Sequence, residues 1–285
     1  MSVVKLSEQP KISEIYTAAA RGALPFLGSK SSSVPSTEFE LRGLRVDSAN
    51  LAGYCRATGL RFGDILPITY PFTLVFPTVM KLMVSKGFPF AAIGSVHAEN
   101  VIEAFRPISV SEPLDVRVHA ENLREHRKGL LVDLVSEVSV GRELVWRQTS
   151  SFLSLQKTSL SGELREAPPA DEVPPPPTRT LRVDQKTISR YASISGDRNP
   201  IHVSTLGAKA FGFPKTIAHG MWSAAAALQI IEGRIPEKVT YSVRFGKPIV
   251  LPATVNLYAE SVGTGWDLSL SNPKKGYPHL TATLR

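Results

Sequence analysis

The feature that most constrains this chain is that it repeats itself. The segment LRVDSANLAGYCRATG (44–59) aligns without a gap on LRVDQKTISRYASISG (181–196), at a constant offset of 137 positions, with Leu, Arg, Val, Asp, Tyr and Gly identical. A second echo follows each copy, FRPISVSEPLDVRVHAE (105–121) resembling GKPIVLPATVNLYAE (246–260). Each has a Pro-Ile turn and then alternating apolar residues, Leu114, Val116 and Val118 in one, Val255, Leu257 and Ala259 in the other. That is the period of a half-buried strand. The chain is therefore expected to build one supersecondary plan twice.

Each half reads as a short helix, a loop, a longer apolar helix and several antiparallel strands. In the second half the longer helix is HGMWSAAAALQIIEG (219–233), where alanine and leucine supply helix propensity and Gly233 and Pro236 end it. The small side chains of Ala224, Ala225, Ala226 and Ala227 allow a sheet to approach closely. Strands follow at VTYSVRF, TVNLYAESV, WDLSLSN and HLTATLR, divided by turn formers such as GTG and PKKG. The division is an N-terminal extension (1–37), a first domain (38–164), the proline-rich semi-rigid linker REAPPADEVPPPPTR (165–179) and a second domain (180–285).

With 42% hydrophobic and 20% charged residues the 285-residue chain is globular rather than disordered. Its first residues carry charges and a proline where a secretion signal has its apolar core, so a cytoplasmic location is expected. The apolar run ILPITYPFTLVFPTVM (65–80) holds three prolines and is too short to span a bilayer. One cysteine, Cys55, forms neither an intrachain disulfide nor a zinc cluster. The net charge of +8 allows an anionic partner, but the basic residues are scattered, and REHRKG (124–129) reads as a solvated hairpin tip. No nucleic-acid partner is expected.

The copies part company after the shared glycine: the first continues LRFGDILPITYP, the second DRNPIHVSTLGA. Asp197, Asn199, Pro200 and His202 are good turn chemistry, yet a turn that the fold required would recur in both copies. YASISGDRNPIHVSTLGA (191–208) resembles the signature of the MaoC-like, or type 2 (R)-specific, enoyl-CoA hydratases. In that pattern an aromatic residue leads through a small residue to Gly-Asp-x-Asn-Pro-aliphatic-His, with a further small residue six places on. Tyr191, Ser195, Gly196, Asp197, Asn199, Pro200, Ile201, His202 and Ala208 fill it. IAHGM (217–221) resembles the segment that opens the family's central helix. The resemblance implies an α+β protein of two tandem hot dog folds, each a curved antiparallel sheet wrapped around a long helix. The first would be degenerate and the second catalytic; residues before Thr37 lie outside the resemblance.

It also implies a reaction, the reversible hydration of trans-2-enoyl thioesters to (R)-3-hydroxyacyl thioesters in fatty acid metabolism. Such chemistry needs a base for water, an acid for the α-carbon and donors for the thioester oxygen. Burial can tune a carboxylate and an imidazole toward that proton traffic. By resemblance Asp197 and His202 hold the water, with the base and acid not apportioned between them. The Gly220 N–H, at a helix start, would face the oxyanion. Asn199 would fix the loop, Pro200 lock it, and His219 only cap or pack.

A metal would have to join His202, His219 and Asp197, which lack a compact ligand spacing, so no metal is expected. Nor is any cofactor beyond the coenzyme A or acyl carrier protein borne by the substrate. Met221, and Arg244 and Lys247 toward coenzyme A phosphates, are substrate-binding candidates; Phe72 and Phe76 either line an acyl tunnel or belong to the core. The competing functions are an acyl-CoA thioesterase, since fold alone does not choose the reaction, and a non-catalytic acyl-thioester binding subunit. Two units in one chain suit a monomer or a homodimer equally.

Overall fold

The chain, described by a computed structural model over residues 2–22, 31–162 and 175–285, begins with β1 (Ser2–Leu6) and α1 (Ile12–Gly22). The first repeat then supplies β2 (Thr37–Leu44), α2 (Ser48–Thr58), α3 (Pro71–Met83), β3 (Val96–Ala104), β4 (Leu114–His126), β5 (Gly129–Val140) and β6 (Glu143–Leu155). The second supplies β7 (Arg179–Val183), α4 (Gln185–Ser195), α5 (Pro200–Val203), α6 (Thr205–Ala210), α7 (Gly220–Ala227), β8 (Val239–Phe245), β9 (Ala253–Val262), β10 (Gly265–Ser271) and β11 (Pro278–Leu284). The proline-rich linker lies mostly outside the described residues, and β7 starts at its last residue.

Two of the repeated identities turn out to be helix caps. Asp47 accepts the Ala49 and Asn50 N–H groups to start α2, and Asp184 accepts that of Thr187 to start α4. Gly59 and Gly196 end the same helices at φ 78° and 77°, the left-handed conformation in which a side chain is strained. The two helices pack on each other: Asn50 Nδ2 donates to Ile194 O at 3.1 Å, and the repeated Tyr54 and Tyr191 rings lie 6.0 Å apart.

All eleven strands join one sheet in the order β1-β2-β4-β5-β6-β3-β8-β11-β10-β9-β7. From the antiparallel β3–β8 pairing in the middle, the first half runs outward β3-β6-β5-β4-β2 and the second β8-β11-β10-β9-β7. The repeat is thus a repeat of topology. Inward positions alternate as expected: Leu114, Val116, Val118, Val255 and Leu257 are fully buried. REHRKG forms the β4–β5 hairpin tip, and GTG the tip between β9 and β10.

Each half folds its sheet against one apolar helix, α3 or α7. Ala224 to Ala227 have no exposed surface, and the Tyr241 hydroxyl from β8 reaches Ala224 O at 2.9 Å. α7 is shorter than the sequence suggests, tightening at Leu228–Ile230 into a 3-10 turn. There the chain meets α2: Gln229 Nε2 donates to Thr58 O and Trp222 Nε1 to Ala57 O, both at 2.7 Å. The two halves therefore share one core. Among the described residues no helix is long and apolar enough to cross a membrane.

Residues 2–22 are built into this frame. β1 pairs in parallel with β2 at the sheet edge, and Gln9 Nε2 donates to Leu74 O of α3 at 2.8 Å. Ile15 and Ala19 bury the inner face of α1.

Candidate active site

The catalytic-loop candidate is an insertion. In the first half Leu66 N donates to Ile108 O and Val110 N to Asp64 O; in the second Ala218 N donates to Ile249 O and Leu251 N to Thr216 O. These matching bonds pair Leu66 with Ala218. Seven positions separate Gly59 from Leu66, whereas twenty-two separate Gly196 from Ala218. The first half thus lacks the loop, rather than holding apolar residues in place of its polar ones as the ungapped alignment suggests.

Local chemistry shapes the inserted segment. Asn199 caps α5 by accepting Ile201 N, Pro200 takes the first helical position, and Ser204 both ends α5 and caps α6 through Gly207 N. Gly207 is required, because a Cβ there would lie 2.5 Å from Pro200 Cβ. The short helices place His202 and Asp197 on the same side of the turn, facing His219 at the start of α7.

Ligand atoms of Asp197, His202 and His219 all lie within 4.8 Å of one another. The His202 and His219 rings stack, with centroids 3.7 Å apart and planes at 28°. His202 Nδ1–H donates to Ile217 O at 2.8 Å, so its Nε2 keeps a free lone pair when neutral. His219 Nε2–H donates to Asp197 O at 2.9 Å, tying the loop to α7, and its buried Nδ1 has no partner among the described residues. His219 therefore does more than cap or pack. The trio could approach a metal, a proximity the sequence spacing hid. Yet the rings are stacked, so their lone pairs lie in two separate planes 28° apart, which opposes a shared ion.

Asp197 Oδ1 accepts Asn199 N at 3.2 Å and the Tyr16 hydroxyl at 3.1 Å, while Oδ2 stands 3.9 Å from His219 Nε2. Its side chain is 21% exposed, so water reaches it. Burial works against the Asp197 charge, but His219, His202, the Asn199 N–H and the Tyr16 hydroxyl together outweigh it and hold the carboxyl below its ordinary value. Burial likewise pushes His202 below its ordinary value, against the pull of Asp197, and pushes His219 down to about 3, with His202 adding to the fall. Near neutral pH the cluster is one carboxylate beside two neutral imidazoles.

Gly220 opens α7, and its N–H meets no acceptor among the described residues, as expected of a first-turn donor. What approaches it closely is Phe245, whose ring lies 3.1 Å from where a Cβ would stand. The Phe245 ring also meets His97 of β3 at 4.9 Å, and His97 stacks on Phe152 at 4.6 Å. Burial drives His97 down to about 4. Phe72 and Phe76 are buried and packed 5.5 Å apart, Phe72 stacking toward His97 and Phe76 lying beneath Gly196. Met221 is buried in the core.

Arg244 and Lys247 stand apart from this cluster. Arg244 alternates with the inward Val243 and Phe245, faces solvent, and is paired with Glu99 at 3.1 Å. Lys247 lies over the Tyr277 ring at 4.3 Å. Tyr16 and His97 carry no sequence signal for their place here, because both lie far from the motif, Tyr16 ahead of the first repeat and His97 within it.

Comparison with known proteins bears on this geometry. The family described as "MaoC like domain" matches residues 166–281. The chain is 52% identical over 277 residues to 3-hydroxyacyl-thioester dehydratase X of Mycobacterium tuberculosis, covering 97% of this chain and 99% of that one. The chain belongs to the MaoC-like dehydratase family. An alignment of that extent takes in most of residues 1–37, so this part of the MaoC-like chain, outside the motif resemblance, is shared with its relative. A crystal structure of HtdX of Mycobacterium tuberculosis superposes with a TM-score of 0.79 at 51% identity, over 87% of this chain and 99% of that one. Another structure, titled MaoC-like dehydratase, matches at 16% identity with a TM-score of 0.69, covering 90% and 98%. The latter speaks for the fold alone. The fold is the double hot dog of the MaoC-like proteins.

Proposed function

We propose that this protein is a hydro-lyase that interconverts trans-2-enoyl and (R)-3-hydroxyacyl thioesters. The observation that carries the reading is the inserted loop, which sets an accessible Asp197 carboxylate beside the free Nε2 of His202, next to a helix start with an unpaired Gly220 N–H. The kinship with a protein named 3-hydroxyacyl-thioester dehydratase X supports the same substrate class.

In the hydration direction a water held by Asp197 and His202 attacks C3 of the enoyl group. The pair takes a proton from the water and returns one to C2, so that H and OH add overall. As the C3–O bond forms, negative charge moves to the thioester oxygen, where the Gly220 N–H and the positive end of the α7 dipole stabilise it. Dehydration is the reverse. Asn199 and Pro200 keep the loop in place, and His219 holds the Asp197 backbone. The reaction needs no metal or redox cofactor; the acyl carrier, coenzyme A or acyl carrier protein, arrives with the substrate. With two hot dog units in one chain a monomer suffices in this reading, and a cytoplasmic location goes with it.

The test is loss of enoyl absorbance with crotonyl-CoA and a long-chain trans-2-enoyl-CoA, with and without EDTA, and with the product's configuration determined. Asp197→Asn and His202→Ala are each expected to lower kcat/KM by about 10²–10⁴-fold, the usual reach of general acid–base groups. Activity should survive the chelator. Release of free thiol without hydration would make the protein a thioesterase instead, and acyl-thioester binding without turnover would make it a binding subunit.

A further inference from the structure

The Asp197 carboxylate is held from outside both repeats. Tyr16, on α1, places its hydroxyl 3.1 Å from Asp197 Oδ1, across 181 positions of sequence. Its neighbours fix it there. Ile12 and Ile15 flank it on the same helix; Ile12 Cγ1 lies 3.1 Å from where a Cβ at Gly196 would stand, and Ile15 is 5% exposed. Before the helix, Gln9 is bonded to Leu74 O and β1 is paired along β2, so the segment is anchored on the first half while Tyr16 reaches the loop of the second.

Resting on the reading of Asp197 as a water-holding group, we propose that Tyr16 is a positioning residue for catalysis, which occupies Asp197 Oδ1 and so leaves Oδ2 as the oxygen that holds the water. Oδ1 already takes the Asn199 N–H at 3.2 Å; with the Tyr16 hydroxyl it has both acceptor positions filled, and the carboxylate cannot swing about its terminal torsion without breaking two bonds. Oδ2, at 3.9 Å from His219 Nε2, has no hydrogen bond among the described residues. Tyr16 must act as a donor, because burial and then the Asp197 charge raise its phenol far above the ordinary tyrosine value. The groups that face Asp197 are Tyr16 from α1, His97 from β3, Tyr191 from α4, His202 from α5 and His219 at the start of α7. Beside the pull of His219 and His202, the hydrogen-bond donors to its carboxylate are the Asn199 N–H and Tyr16.

The experiment is Tyr16→Phe in the full chain, which removes one oxygen and keeps the ring. The expected result is a kcat lower by about tenfold, the scale of a hydrogen bond to a charged group, with KM within about twofold and a thermal midpoint lowered by only a few degrees. The Asp197 step of the acid limb of kcat/KM, as distinct from the His202 step, should move to higher pH, because losing a donor raises the Asp197 pKa. Wild-type kcat with an unmoved limb overturns the proposal, and so does a lowered thermal midpoint with an unmoved limb, since that marks a packing role only. A 13C titration of the Asp197 carboxyl in wild type and Tyr16→Phe decides the matter without turnover. An upward displacement supports the proposal and none overturns it, even if the wild type hydrates nothing and the proposed reaction falls.

Discussion

In the proposed hydration Asp197 acts as a carboxylate and His202 as a neutral imidazole. The carboxyl titrates below its ordinary value and His202 below about 6.5, so kcat/KM should be flat through neutrality and fall only under about pH 6.5. A pH profile with its acid limb at or above that value would contradict the neutral-imidazole picture. Of the residues involved, Asp197, Asn199, Pro200 and His202 were legible because they sit within six positions and differ from the other copy of the repeat. His219 was underrated: its stacking on His202 and its bond to the Asp197 carbonyl depend on where α7 lands, which no local spacing encodes. Tyr16 and His97 were invisible for the same reason, being brought in by β1–β2 and β3–β8 pairing.

At the scale of elements, the inserted loop stands on its own caps. Gly207→Ala would drive a Cβ into Pro200, forcing α6 and α5 apart and shifting His202, which α5 carries. It should lower kcat by about ten- to a hundredfold, the known sensitivity of catalysis to misplacement approaching 1 Å. Gly63→Ala, where a Cβ meets nothing within 4 Å, is the control and should leave kcat unchanged. Equal effects of the two substitutions, read by steady-state kinetics, would sink this account. The strands of the second half and the cap residues of α2 and α4 could be read directly, since alternation and capping are short-range. The length of α7 could not, because its end is set by contact with α2.

The whole molecule keeps several histidines neutral in its interior. Burial lowers His97 to about 4, His219 to about 3, and also His202 and His279. An unfolded chain binds those protons near pH 6.5 while the folded one does not, so stability falls as pH drops from about 6.5 toward the folded values. Asp197 adds to the loss lower still, as its depressed carboxyl is protonated. Thermal melts at pH 7.5 and pH 5 should show a clearly lower midpoint at pH 5; equal midpoints would mean the histidines are not held neutral.

The duplication, the alternation of inward residues, the helix caps and the Asp197–His202 loop follow from the sequence alone, because each rests on neighbours a few positions apart. Which residues surround Asp197 is a different matter. The first half's loop is absent rather than altered, the outer strand β1 carries α1 over the second half, and β3 delivers His97 beside Gly220's aromatic cover. Those juxtapositions span 100 positions or more, and only the closing of one continuous sheet around two helices brings them together.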